Sequence, residues 1–191
     1  DVTGATALTI ATDAVDIAML SATGTADATT FLRGDNAWAA AGGDNTPAFQ
    51  ARNTSTQSGI TSDVYTKVQY NTEDFDTDSA YDNTTNYRFT VPVGGAGKYQ
   101  LYSQVYVMTG NQGWLNQEKA FFYLNGSASN YGAVNDFRNG NAFTWNVAQS
   151  GIMTLADGDY VEVFATIWAP SGTFTFDNNR GYFSGYKLIG V

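Results

Sequence analysis

The stretch Tyr99-Gln100-Leu101-Tyr102-Ser103-Gln104-Val105-Tyr106-Val107 decides the fold class. Its odd positions read Tyr, Leu, Ser, Val, Val, and its even positions read Gln, Tyr, Gln, Tyr. Alternation with period two marks a strand that buries one face. The odd face is expected in a core. The even face, Gln100, Tyr102, Gln104 and Tyr106, is polar and aromatic at once, which points to a contact between subunits rather than to plain solvent.

Outward from this strand the same period recurs, punctuated by Gly, Asn and Asp. It predicts strands over 48–53, 65–70, 87–93, 97–108, 119–125, 142–155, 159–168, 172–176 and 181–191. With three prolines and no long helical pattern, the 47–191 segment reads as an all-β antiparallel sandwich. Gly158 between Asp157 and Asp159 suits a tight turn that needs positive φ, with flanking carboxylates bonding the turn backbone. Asn125-Gly126 reads as a hairpin turn. Gly185, inside an aromatic strand, marks a bulge or a close approach by another backbone.

Residues 1–46 are different in kind. They hold twelve Ala and nine Thr but only two aromatics, Phe31 and Trp38, whereas the rest of the chain holds twenty-six. Side chains this small cannot offset an ordering cost of roughly 1–2 kcal/mol per residue on their own. The segment is expected to fold against copies of itself, as an intertwined stem and collar. Over residues 8–22 the pattern fits short strands or a short helix capped by Asp13, and both readings stay open. Asp1 opens in mid-pattern, as in the end portion of a longer polypeptide.

Composition removes whole classes of chemistry. There is no Cys and no His, so disulfides, thiolate metal sites and imidazole-based catalysis are absent. The formal charge of −9 repels nucleic acid and anionic lipid. No apolar run approaches the ~18–20 residues that span a bilayer. The chain therefore reads as a non-enzyme with neither nucleic-acid partner nor membrane insertion.

Two motifs carry resemblances. Thr30-Phe31-Leu32-Arg33-Gly34-Asp35-Asn36-Ala37-Trp38-Ala39 resembles the junction that recurs in phage tail fibres just before the terminal domain. Ala48–Arg52, Arg88-Phe89-Thr90-Val91-Pro92 with Gly97–Val105, Leu155–Val163 and the closing Phe183-Ser184-Gly185-Tyr186 resemble, in order and spacing, the globular head of complement C1q and its tumour-necrosis-factor-like relatives. The resemblance covers residues 47–191, departing at Val93–Ala96 and at Thr109–Glu118. It implies a jelly roll that assembles as a homotrimer, in register with a trimeric stem. It also implies that both ends of the head lie at the stem side. The loops Glu73–Asn86, Thr109–Glu118, Ala156–Asp159 and Asp177–Arg180 would then share the far tip.

On that topology the tip presents Trp114, Asn116, Asp177, Asn178, Asn179 and Arg180 for receptor binding. The acids Asp74, Asp76, Asp78, Asp82, Asp157 and Asp159 become candidate Ca²⁺ ligands. An EF-hand is excluded, because Ser79 stands where Gly belongs and Thr85 where Glu belongs. Asp74/Asp76 and Asp157/Asp159 read as turn acids rather than as a glycosidase pair. Phe31, Leu32, Arg33 and Trp38 would close the stem–head junction. The expected function is that of a homotrimeric fibre tip in the virion. It would be joined to other tail proteins on its N-terminal side and recognise a host polysaccharide or outer-membrane component. The alternatives are a purely structural virion fibre or decoration protein and a secreted C1q-like lectin.

Overall fold

A computed structural model describes residues 19–40, 45–110, 115–138, 144–170, 172–178 and 180–189. The chain divides into two compact units, Asp1–Asp44 and Asn45–Val191. Most of the 8–22 segment, left open between strand and helix, lies outside the described residues.

In the first unit a hairpin joins β1 (Thr30–Leu32) to β2 (Trp38–Ala40) in antiparallel register, Leu32 opposite Trp38. Its turn is closed by hydrogen bonds between Arg33 and the Asn36 and Ala37 backbone. Asn36 takes φ 61°, a conformation that Asn tolerates better than most residues. Arg33 and Asp35 pair at 3.3 Å with both side chains exposed, so the pair adds little stability. Phe31 and Leu32 remain substantially exposed.

The second unit holds β3 (Ala48–Arg52), β4 (Gln57–Ile60), β5 (Thr66–Lys67), β6 (Thr72–Asp76), β7 (Tyr81–Asp82), β8 (Arg88–Thr90) and β9 (Gly97–Thr109). It continues with β10 (Gln117–Leu124), β11 (Ser127–Asp136), β12 (Thr144–Leu155), β13 (Tyr160–Trp168), β14 (Phe174–Phe176) and β15 (Tyr182–Lys187). The pairings between these strands are all antiparallel. One sheet runs β11-β10-β13-β8-β7, with β5 also on β13. The other runs β4-β14-β9-β15-β3-β6, with β12 on the opposite edge of β9. These are the two antiparallel sheets of a sandwich, as the alternation predicted, in the jelly-roll arrangement that the resemblance implied.

The core lies between the sheets. Tyr99, Leu101, Ser103, Val105 and Val107 are all buried, so the odd face of β9 points inward. Phe49 stacks on Phe89 at 4.6 Å and on Tyr81 at 5.3 Å, and Phe183 meets Phe49 edge-on at 4.9 Å. Gly185 is opposite both Phe49 and Leu101 and sits in no bulge. A Cβ there would stand 2.5 Å from Leu101 Cδ2, 2.9 Å from Phe49 Cε1 and 3.2 Å from the Gln100 carbonyl oxygen. The approach is thus mainly by side chains. Gly185→Ala is expected to lower stability by about 1–3 kcal/mol through overpacking; an unchanged urea midpoint would contradict this packing.

The sequence missed β4, β6, β7 and β11. β11 (SASNYGAVND) carries no apolar alternation because much of it is exposed. It is instead defined by the Asn125-Gly126 turn, with φ 50° and 79°, which folds it onto β10.

Candidate functional site

Strand registers define two ends of the sandwich. Ala48 is opposite Tyr186 and Lys187 is opposite Tyr99, so β3 begins and β15 finishes at one end, called here the near end. That part of the expected topology holds. Leu155 is opposite Gly97, however, so β12 also finishes at the near end and the Ala156–Asp159 turn lies there, not at the far tip. Asp76 is opposite Phe49, and Thr77 bonds the Ala48 carbonyl, so Asp76 and Asp78 are near-end residues too.

The expected acidic tip is therefore not formed. Each of these acids has local work. Asp157 accepts the backbone N–H groups of Gly94 and Ala96, both at 2.7 Å, which hold its carboxyl below the usual range. Asp159 accepts from Asn125 Nδ2 and from the Ala156 N–H, and is lowered likewise. Asp82 caps its own turn through the Thr85 and Thr84 N–H groups and the Asn86 amide, which drive its pKa well down. Gly158 takes φ 83°, as its turn requires. Among the described residues no group of three or more carboxylates is close enough to hold a metal ion.

Asp177–Arg180 is also not a tip turn. β14 and β15 run in the same direction along one edge of β9, Phe176 opposite Val107 and Tyr182 opposite Gln104. Between them the chain leaves that edge, and its described residues are held by the Asp177 N–H on the Tyr106 carbonyl and by Gln104 Nε2 on the Arg180 carbonyl at 2.8 Å. Asn53 ties the excursion from below by donating to the Asp177 carbonyl and accepting the Gly181 N–H. Asn116 does lie at the far end, where its N–H bonds the Trp168 carbonyl and its carbonyl accepts from Phe137. Trp114 and Asn179 fall outside the described residues.

The excursion instead places Arg180 on the outer face of the β6-β3-β15-β9-β12 sheet. Its guanidinium lies 4.6 Å from the Tyr106 ring centroid and donates to the Tyr106 hydroxyl. Arg180, Arg52, Gln50, Asp74, Gln104, Asn146 and Tyr182 line a shallow depression of about 460 Å³. Asp74 accepts from Gln50 Nε2 at 2.9 Å and from Arg52 Nε at 2.6 Å, which together lower its pKa. Tyr102 stacks on Tyr182 at 5.1 Å, and burial, then the Tyr182 hydroxyl, push Tyr102 up to about 12. A second depression, about 400 Å³, follows toward the near end between Phe75, Gln50, Ser184 and Tyr186. Phe75 is 50% exposed, Ile152 47% and Tyr186 41%. The face is hydrogen-bonded, ring-lined and uncovered.

No family model matches the sequence, and no curated protein matches it either. Among solved structures, the globular domain of zebrafish complement 1qA protein superposes with a TM-score of 0.50 at 17% identity, over 75% of this chain and 98% of that one. Murine APRIL at pH 8.0 superposes with a TM-score of 0.53 at 13% identity, over 74% and 98%. The fold is therefore a C1q/TNF-like jelly roll. At these identities the likeness defines the fold class alone.

Proposed function

We propose that this chain is the tip of a phage tail fibre, a non-catalytic homotrimer whose jelly-roll head recognises a polysaccharide or outer-membrane component on the host surface. The observation that supports the trimer best is the outer sheet face, where Phe75, Tyr102, Tyr182, Tyr186 and Ile152 sit partly or half exposed around the Arg180 depression. A monomer gains nothing from leaving such rings in water, while copies related by one axis cover them in every subunit. The fold class is compatible with this seam. The fibre assignment is supported by the Thr30–Ala39 motif, which folds as a β-hairpin.

In this reading Arg180 and its neighbours Asp177 and Asn178 border the seam, and the far end with Asn116 points toward the host. Three weak sites on one rigid body raise the effective concentration of the second and third contacts. The test is binding of the labelled full chain to a panel of bacterial strains, beside the double variant Tyr102→Glu/Tyr182→Glu. Saturable binding to one strain, reduced about 100-fold or more when the variant becomes monomeric, is the expected result. Equal binding by a monomeric variant, or no binding to any strain by the wild type, would overturn the proposal.

A further inference from the structure

The second sheet turns a different face outward. On β10 the residues Glu118, Ala120 and Phe122 are buried, so Gln117, Lys119, Phe121 and Tyr123 point away from the core. On β13 the core takes Val161, Val163, Ala165 and Ile167, which leaves Phe164 and Thr166 on the outer side. Register sets Phe121 opposite Phe164 and Lys119 opposite Thr166. Tyr65, immediately before β5, has its ring 5.9 Å from Phe121 and 6.4 Å from Tyr123. Tyr123 in turn lies 4.1 Å from Phe164.

We infer that Tyr65, Phe121, Tyr123 and Phe164 form a lateral binding platform for a neutral hexopyranose saccharide. Four points lead there. First, the rings form a continuous row whose members stay partly exposed, Tyr65 at 42%, and sugar C–H faces pack on such rings. Second, the Tyr65 and Tyr123 hydroxyls bond no other described residue and stay open to a ligand's hydroxyls. A sugar supplies apolar faces and hydroxyls together.

Third, the area is wrong for a protein partner. An aromatic ring offers about 150–250 Å² in all, and these are largely covered by each other, so the row exposes far less than the ~800 Å² per side of a stable protein interface. Fourth, the chain's charge of −9 disfavours a polyanionic glycan. Lys67 is already engaged, 2.5 Å from Glu162 Oε1. Lys119 makes no ion pair among the described residues and lies on the same face of β10 as Phe121 and Tyr123.

This inference rests on the head being a surface binder but not on the trimer seam, which uses the other sheet. It is tested by titrating the full chain with cellohexaose, maltohexaose and an oligogalacturonate of similar length, following aromatic NMR shifts and heat of binding. The expected result is saturable binding of a neutral hexasaccharide with shifts at Tyr65 and Tyr123, weakened at least tenfold by Tyr65→Ala and by Tyr123→Ala and unchanged by Val93→Ala at a fully exposed turn. No saturable binding of either neutral probe would overturn it, as would exclusive binding of the oligogalacturonate. So would neutral binding that moves no platform resonance, a readout on wild-type protein that stands even if a variant folds poorly. Cell binding with a silent titration would retain the fibre-tip reading and discard this platform.

Discussion

Phe183→Ala is expected to cost about 3–5 kcal/mol, the largest loss of any single side chain discussed here. Phe183 is fully buried on β15, and its ring contacts Phe49, Phe122, Tyr81 and Tyr70 at 4.9, 5.8, 6.0 and 6.2 Å. These partners come from β3, β10, β7 and the segment before β6, so one ring joins both sheets. Its removal leaves a cavity that rigid strands cannot close, and the lining rings lose their contacts outright. For a unit of this size such a loss lowers Tm by roughly 10–15 °C. Phe75→Ala, on the exposed face, is the control and is expected to change the stability of the isolated chain by less than about 1 kcal/mol. Equal effects from the two substitutions would refute the assignment of inner and outer faces.

Glu118→Gln is expected to stabilise the protein, and only above mildly acidic pH. Glu118 sits on β10 with no exposed surface; its Oε1 accepts from Asn135 Nδ2 at 2.8 Å, and its Oε2 has no partner. Burial raises its pKa from 4.5 to about 7, against a smaller lowering by Asn135. The folded protein thus holds more protons than the unfolded chain between those two values, and stability falls as pH rises through that window. Below about pH 4.5 the carboxyl is neutral in both states and no penalty exists. Above about pH 7 the full penalty is present, on the order of 3 kcal/mol. The amide variant has no such dependence. Denaturant unfolding at pH 4 and pH 8 should therefore show near-equal stabilities at the lower pH and a gap of about 2–3 kcal/mol at the higher. A gap of the same size at both would mean that packing, not ionisation, separates the two side chains.

Much of the sandwich was legible because burial writes itself into alternation. β3, β9, β12, β13 and β15 each bury one face or nearly so, and their apolar residues recur at every second position. β6 and β11 were not legible for the converse reason. Both lie at sheet edges with largely exposed side chains, and only pairing to β3 and β10 makes them strands. The polar-aromatic face of β9 could be read from Tyr102 and Tyr106, but its companions could not. Arg180, Arg52 and Asp74 meet there only through the register of three strands and an excursion that no local pattern announces.

The acidic residues show the same limit from another side. Asp159 was correctly read as bonding the turn at Gly158, because a turn is local, whereas Asp157 reaches across to the Gly94 and Ala96 backbone of another turn. Their assignment to the far tip required the direction of β12, which register alone fixes. The lateral row of Tyr65, Phe121, Tyr123 and Phe164 was likewise hidden, since its members come from three strands or their flanks and converge only across β10 and β13.

We propose that copies of this chain close on the ring-lined face of the β3-β15-β9-β12 sheet. Sedimentation equilibrium of the full chain at micromolar concentration measures this most directly. A single species of three times the chain mass is expected, shifting to one chain mass in Tyr102→Glu/Tyr182→Glu with its β-sheet circular dichroism intact. A folded wild-type monomer, or a trimer indifferent to both substitutions, would contradict it.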